Sequence, residues 1–315
     1  MKELETINAG YATIGQGAGP MIVTERAGIF AKYGLQVKIR LMGGANGVVR
    51  GLMSREIDFG NLAAPALLRA DLEKGADLVF LTGGINQQFL MGRPGIVSRS
   101  QLSGARIGFA GDGGLNDLLV TFVVDRLAEE GIRSVQLVAG STSENDRISG
   151  LLKGERDAEI LTPPESIEAK RKGCSVLVDF SDHGLNFVLG GIASARAYIR
   201  EREETVRKFI RAYVEGMHRY RTDRAFTVQV QQEYSGLSDH SIAEETYIIT
   251  LPGMPRAPYP VVEGLGKALQ VMSKQIPQAG AADPRAFVDD RFIRELEDEG
   301  FVAALYGANR EGQYK

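Results

Sequence analysis

The stretch Gly51-Leu52-Met53-Ser54-Arg55-Glu56-Ile57-Asp58 returns as Gly150-Leu151-Leu152-Lys153-Gly154-Glu155-Arg156-Asp157. The first glycine, the leucine, the acid and the closing aspartate stay in register, and the same offset lays Pro65 on Pro164 and Ala70 on Ala169. A nearly equal offset lays Gly34-Leu35 and the run Val37 to Leu41 over Gly131-Ile132 and Val135 to Val138. Self-similarity spread over this much chain signals two copies of one folding unit.

Each copy alternates strand and helix. In the first, Thr6 to Ile14 is strand-like, and Pro20 to Lys32 suits a helix opened by Pro20 and ended before Gly34. Strands at Val37 to Leu41, Phe59 to Leu62 and Leu78 to Leu81 enclose a short helix after Gly43-Gly44-Ala45-Asn46 and a second opened by Pro65. In the second copy Arg106 to Ala110 is the first strand, Leu115 to Glu130 the first helix and Val135 to Val138 the second strand. Such alternation predicts α/β architecture with a mixed, mostly parallel sheet in each copy.

From about Ala195 the pattern becomes helical. Val206, Phe209, Ile210, Tyr213, Val214, Met217 and Tyr220 form one apolar stripe, and Asp283-Pro284 is a capped start for another helix. This tail has no repeat partner and is expected to cover the first copy. The division is then residues 1–90 in lobe one, 91–190 in lobe two, and 191–315 back on lobe one. Two crossings, near Gln88 to Gly95 and near Phe187 to Ile192, describe a hinge.

Composition removes several function classes. The chain has 315 residues, 43% hydrophobic and 24% charged, and no apolar run approaches the roughly 18 residues of a membrane span. With 37 Lys+Arg against 40 Asp+Glu there is no basic surplus, so nucleic acid is not an expected partner. One cysteine, Cys174, and three scattered histidines give no metal cage and no histidine triad, so no metal or cofactor is expected. Met1-Lys2-Glu3-Leu4-Glu5 leads straight into a strand-like segment, so the chain is expected either to be cytoplasmic or to have lost a leader.

In parallel sheets ligands sit outside the carboxyl ends of the strands, where loops enter helix N-termini. In lobe one this selects Tyr11, Gln16 and Gly17 of the Gly15-Gln16-Gly17-Ala18-Gly19 loop, Gly44 and Asn46, then Asn61 and Ala63. In lobe two it selects Asp112, Gly113, Gly114 and Asn116, the Ser141-Thr142 loop, Thr162 and Glu165. His183, beside Asp182, is a ligand contact or a solvated loop residue. The glycines either expose amides to a ligand or only turn the chain. No GxGxxG, Walker or GxSxG pattern is present, so dinucleotide, nucleotide and acyl-transfer chemistry have no candidate. Cys174 reads as a small apolar filler.

Glu25 and Ala27-Gly28-Ile29-Phe30 leading to Tyr33-Gly34-Leu35, with Gly43-Gly44, Gly51-Leu52, Glu56-Ile57-Asp58-Phe59-Gly60 and Gly131-Ile132, resemble the sulfonate, nitrate and thiamine-precursor group of periplasmic substrate-binding proteins, the NMT1/THI5-like proteins. The resemblance implies a type II periplasmic-binding fold, two lobes closing on a small molecule, and delivery to an ABC transporter permease by a monomer. The cysteine-rich iron-binding segment of one enzymatic branch is missing. Trp is absent, so any ring stacking falls to Tyr11, Phe89, Phe180, Phe187 or Tyr259, each equally suited to core packing. The competing classes are an enzyme of the same fold acting on a small aromatic acid and a ligand-sensing domain. Helix N-termini favour an anionic ligand. Asp112, read as the cap of the helix after it, would occupy lobe-two amides and favour a ligand with polar or amine groups.

Overall fold

The computed structural model describes residues 3–84, 87–111, 113–139, 144–183 and 191–307, without the side chains of Gln16, Glu144 and Asn145. The repeated stretch does the same work in both copies. Each begins at the end of a helix, α3 (Ala45–Met53) or α6 (Glu144–Leu152), and delivers the chain to a strand, β3 (Phe59–Leu62) or β8 (Ala158–Leu161). A Cβ on Gly51 would stand 3.0 Å from Ile57 Cγ1, and one on Gly150 would stand 2.0 Å from Arg156 Nη2. The glycine recurs because the residue six places on folds back beneath it.

The closing aspartate ties this turn to the neighbouring strand, β1 (Glu5–Tyr11) or β6 (Arg106–Phe109). Asp58 donates its amide to Asn8 O at 2.7 Å and accepts the Asn8 amide at 2.8 Å. Asp157 donates its amide to Arg106 O at 2.8 Å and accepts the Arg106 amide at 2.9 Å.

With β2 (Leu35–Leu41), β4 (Leu78–Phe80), β5 (Phe89–Gly92), β7 (Gln136–Ala139), β9 (Ser175–Asp179) and β10 (Gly191–Ala195), two five-stranded sheets form, ordered β2-β1-β3-β10-β4 and β7-β6-β8-β5-β9. β1 runs parallel to β2 and β3, and β6 runs parallel to β7 and β8. β10 is antiparallel to β3 and β4, and β5 is antiparallel to β8 and β9. The antiparallel strand occupies the fourth place in both sheets, and each is the strand that has just crossed from the other lobe. The sequence expectation of mixed, mostly parallel sheets joined by two crossings is met.

Local corrections have local causes. The helix expected over Pro20 to Lys32 is two, α1 (Gly19–Arg26) and α2 (Ile29–Lys32), because Gly28 turns left-handed at φ 68° between them. Asp283 does accept the Arg285 amide, at 2.9 Å, but the segment it caps is a single 3₁₀ turn, Pro284–Phe287.

The other helices are α4 (Ala64–Lys74), α5 (Leu115–Glu129) and α7 (Glu165–Arg171) in the repeats, and in the tail α8 (Arg196–Glu201), α9 (Glu203–Thr222), α10 (Arg224–Ser235), α11 (His240–Thr250), α12 (Val262–Met272), α13 (Arg291–Asp298) and α14 (Phe301–Tyr306). The apolar stripe of α9 is buried throughout, and Phe209 stacks on Phe59 at 3.8 Å between ring centres. α9, α10, α11, α13 and α14 share one core with the first sheet. α12 departs from this, packing against α4 and also α5, so Leu265 and Leu269 belong to a core that includes Phe80 of one sheet and Ile107 and Ile160 of the other. The lobes are thus joined behind the crossings by continuous apolar contact.

Two predictions follow from this packing. Leu269→Ala should cost about 2–5 kcal/mol in denaturant titration, and calorimetry of the unaltered protein should show one transition; two well-separated transitions would contradict a shared core. Asp157 carries the second. Burial pushes its carboxyl up, but hydrogen bonds from the Arg106 and Arg93 side chains and the Arg106 amide outweigh this and bring it down to about 2. A depressed acid stabilises fully above its unfolded value and loses that contribution as pH falls toward the folded one. The destabilisation by Asp157→Asn should therefore be full at neutral pH and shrink between about pH 4 and pH 2; a penalty independent of pH would refute it.

Candidate functional site

The carboxyl ends of both sets of parallel strands open into one cleft of about 1060 Å³. On the lobe-one side Thr13 and Gly17 come from the loop after β1, Gly44 from the N-terminus of α3, and Asn61 and Ala63 from the end of β3. Gly44 sits at φ 101° and donates to Ala12 O at 2.8 Å, while Asn61 O accepts the Ala12 amide at 3.1 Å, so backbone bonds fix all three loops together. Tyr234 of α10 adds a brace, its hydroxyl donating to Thr13 O at 3.2 Å and accepting the Gly15 amide at 3.1 Å.

Lobe two contributes Gly114 and Asn116 from the start of α5, Thr162 after β8, Glu165 from the first turn of α7, and Arg147 from α6. Arg147 Nη2 donates to Glu165 Oε1 at 2.9 Å, with Glu165 only 3% exposed. Beneath them lies a second buried pair, Arg156 and Glu159, at 2.9 Å. Burial pushes the Glu159 carboxyl up, against the charges of Arg156 and Arg147 and a hydrogen bond from Asn116. A carboxylate only accepts, so Asn116 turns its amide nitrogen toward Glu159.

Eight of the positions selected from sequence thus line the cleft: Gly17, Gly44, Asn61, Ala63, Gly114, Asn116, Thr162 and Glu165. Tyr11, Asn46, Gly113 and His183 do not. Tyr11 packs edge-on against Tyr234, and His183 packs on Phe122 at 5.3 Å. Gly113 borders a separate 300 Å³ hollow between α4, α5 and α12. Asp112, the Gln16 side chain, the Ser141-Thr142 loop and Phe187 lie outside the described residues. In the loop before α5 it is Asp117 that accepts from Ala110, Gly111 and Gly113, at 3.0, 2.9 and 2.6 Å. Phe180 is fully buried, and Tyr259 spends its hydroxyl on Glu297 at 2.5 Å.

Sequence reading missed Arg147, Gln88 at the crossing, Tyr213 and Met217 of α9, and the Ser235 to Asp239 turn. Tyr213 and Met217 belong to the apolar stripe of α9 and differ from their neighbours only in reaching the open end of the first sheet. Cys174 lies away from the cleft in a small apolar cluster, where burial pushes its thiol up. Among the described residues no group of three or more His, Cys, Asp or Glu is placed to hold a metal ion, and no helix is long and apolar enough to cross a membrane.

The NMT1/THI5 like family matches residues 17–223, about two thirds of the chain. The chain belongs to that family. Comparison by sequence with characterised proteins gives no match. The fold is similar to that of the periplasmic aliphatic sulphonate binding protein SsuA from Escherichia coli, with TM-score 0.73 and 18% identity over 91% of this chain and 92% of that one. It is also similar to the periplasmic nitrate-binding protein NrtA from Synechocystis PCC 6803, with TM-score 0.77 and 12% identity over 98% and 92%. The desulfurization enzyme DSZB shares the fold at TM-score 0.68 and 15% identity over 94% and 99%.

At the mouth of the cleft this family member carries a cross-lobe clasp. Arg171 of α7 donates to Asp239 at 3.1 Å, Ser241 at 2.8 Å and Glu245 at 3.0 Å on α11. These partners are exposed, so salt screens them. Arg171→Ala, or about 1 M salt, where the screening length is about 3 Å, should enlarge the radius of gyration of the ligand-free protein in small-angle scattering. An unchanged radius in both cases would show that the clasp does not hold the lobes.

Proposed function

We propose that the protein is the substrate-binding component of an ABC importer, a monomer working outside the cytoplasm that captures a small polar organic molecule between lobes 1–90 with 191–315 and 91–190 and presents it to a permease. The observation that carries this reading is the cleft itself, walled by the strand ends of two repeat-related sheets, each of which takes its antiparallel strand from the other lobe's direction. Two crossings and a divided wall suit capture by hinge closure. Family membership and the periplasmic binding roles named for SsuA and NrtA support it.

The same fold serves a desulfurization enzyme, one form of which carries a cysteine-to-serine change and a bound sulfinic acid. In this chain the sole cysteine is buried away from the cleft and no histidine lines it, so the described lining offers neither a thiolate nor an imidazole base. Native mass spectrometry of the purified protein should find one small molecule per chain, released unchanged on denaturation, and scattering should show contraction when it is added back. Conversion of that molecule to a product on incubation would overturn the transport reading.

A further inference from the structure

The two walls of the cleft differ in polarity, and the difference describes a ligand. From Ala12 to Gln88 the lining carries no charged side chain. Three helices begin on that side, α1, α3 and α4, with Ala18, Gly44 and Ala63 at their N-caps, no side-chain cap bond and no acid in the first turn. Their N-terminal partial charges face the cleft with no carboxylate to offset them. In lobe two the corresponding positions are already served by acids: Asp117 takes the loop amides before α5, and Glu165 stands in the first turn of α7.

Every charged side chain in the described lining also has an opposite partner. Arg147 pairs with Glu165, Arg171 with Asp239, and Lys172 with Glu168. Each cation is thus charge-balanced within the chain, and the one buried cationic donor in the described lining without a hydrogen-bond partner is Arg147 Nε. Lobe two and the crossing also leave acceptors over. Gln88, where the chain passes between lobes, is 6% exposed and its Oε1 has no hydrogen-bond partner. Asn116 Oδ1 has none either, because Glu159 fixes the amide with its nitrogen inward. A buried acceptor without a donor is costly, and both residues line the cleft. Between the two ends lie Ile14, Leu62, Ile148, Ile160 and Met217.

Resting on the binding-protein reading, we propose that the cleft takes a short two-ended ligand: a carboxylate on the uncapped helix N-termini of lobe one, a brief apolar spacer, and an N–H-bearing group on Gln88 and Asn116. Gln88 and Asn116 are then the residues that reject simple anions, because a bare oxyanion leaves both acceptors unpaired.

Calorimetric titration with 4-aminobutanoate, butanoate, butylamine and nitrate tests it. The two-ended probe should bind at least about tenfold tighter than either one-ended probe, a difference of about 1.4 kcal/mol. Gln88→Leu and, separately, Asn116→Ser should erase most of that advantage and tighten butanoate, which then leaves one fewer acceptor unpaired, with circular dichroism confirming that each variant is folded; weaker butanoate binding in both would count against the assignment. Butanoate or nitrate binding as tightly as 4-aminobutanoate would overturn the ligand assignment and leave the binding-protein reading intact, as would silence of all four probes at millimolar concentration. Tight binding of 4-aminobutanoate with its conversion to a product would uphold the ligand chemistry and overturn the transport reading.

Discussion

The contact on which both lobes depend is an aspartate that holds one residue of a neighbouring strand by backbone and side chain together. Asp58 on Asn8 and Asp157 on Arg106 each exchange two hydrogen bonds with one residue. Such a pairing fixes the register of β3 against β1 and of β8 against β6, and a slip by one residue would turn every side chain to the wrong face. Register in turn decides which residues emerge at the carboxyl ends. Asn61 and Ala63 on one side, and Thr162 and Glu165 on the other, stand at the cleft because of a bond made at the opposite end of the strand.

Below that shared frame the lobes have diverged in chemistry. At the offset of the repeat, Ile57 becomes Arg156 and Gly60 becomes Glu159. In lobe one Ile57 and Met42 fill the space against Gly10 of β1; in lobe two the Glu159 carboxylate lies so close to Gly108 of β6 that a Cβ there would stand 1.9 Å from it. A buried ion pair is weak evidence for stability, since apolar residues of like volume often do as well. Lobe one shows that this scaffold accepts the apolar solution. The pair's return is positional: it orients Asn116 and, through Arg147, sets the charge beside Glu165.

Much of the frame was legible in sequence because it rests on local rules. The repeat, the alternation of strands and helices and the α9 stripe follow from spacing alone, and β3 and α5 fall within a residue of where the pattern puts them. The broken helix at Gly28 was harder to read, since a glycine inside a helical pattern is often tolerated. The site was legible only where it is made of loops after strands, as at Gly44, Asn61 and Thr162. Arg147, Gln88 and Tyr213 become site residues through contacts between segments distant in sequence, and nothing in their own surroundings marks them. The role of Asp117 has the same origin: a carboxylate in the first turn of α5 reaches back to the amides of the loop before it, and spacing alone does not mark that reach.

The arrangement of apolar and charged contacts between the lobes sets what closure requires. Behind the crossings, α12 joins α4 and α5 in a buried apolar seam, about which the proposed closure would rotate. In front, Arg171 and its partners meet across the mouth, and on the same flank as the seam Lys274 pairs with Asp125 at 2.6 Å. Exposed ion pairs contribute about 0–1 kcal/mol each, whereas moving an open-to-closed equilibrium from 1:99 to 99:1 takes about 5.5 kcal/mol. The clasp alone is too weak by several-fold. The larger part must come from a ligand touching both walls at once, and the structure supplies for this a lobe-one wall of amides and a lobe-two wall with acceptors that have no partner within the chain. On the proposed reading, burying those acceptors beside a molecule that cannot donate to them would subtract from closure, so the groups proposed to select the ligand would also couple its binding to motion.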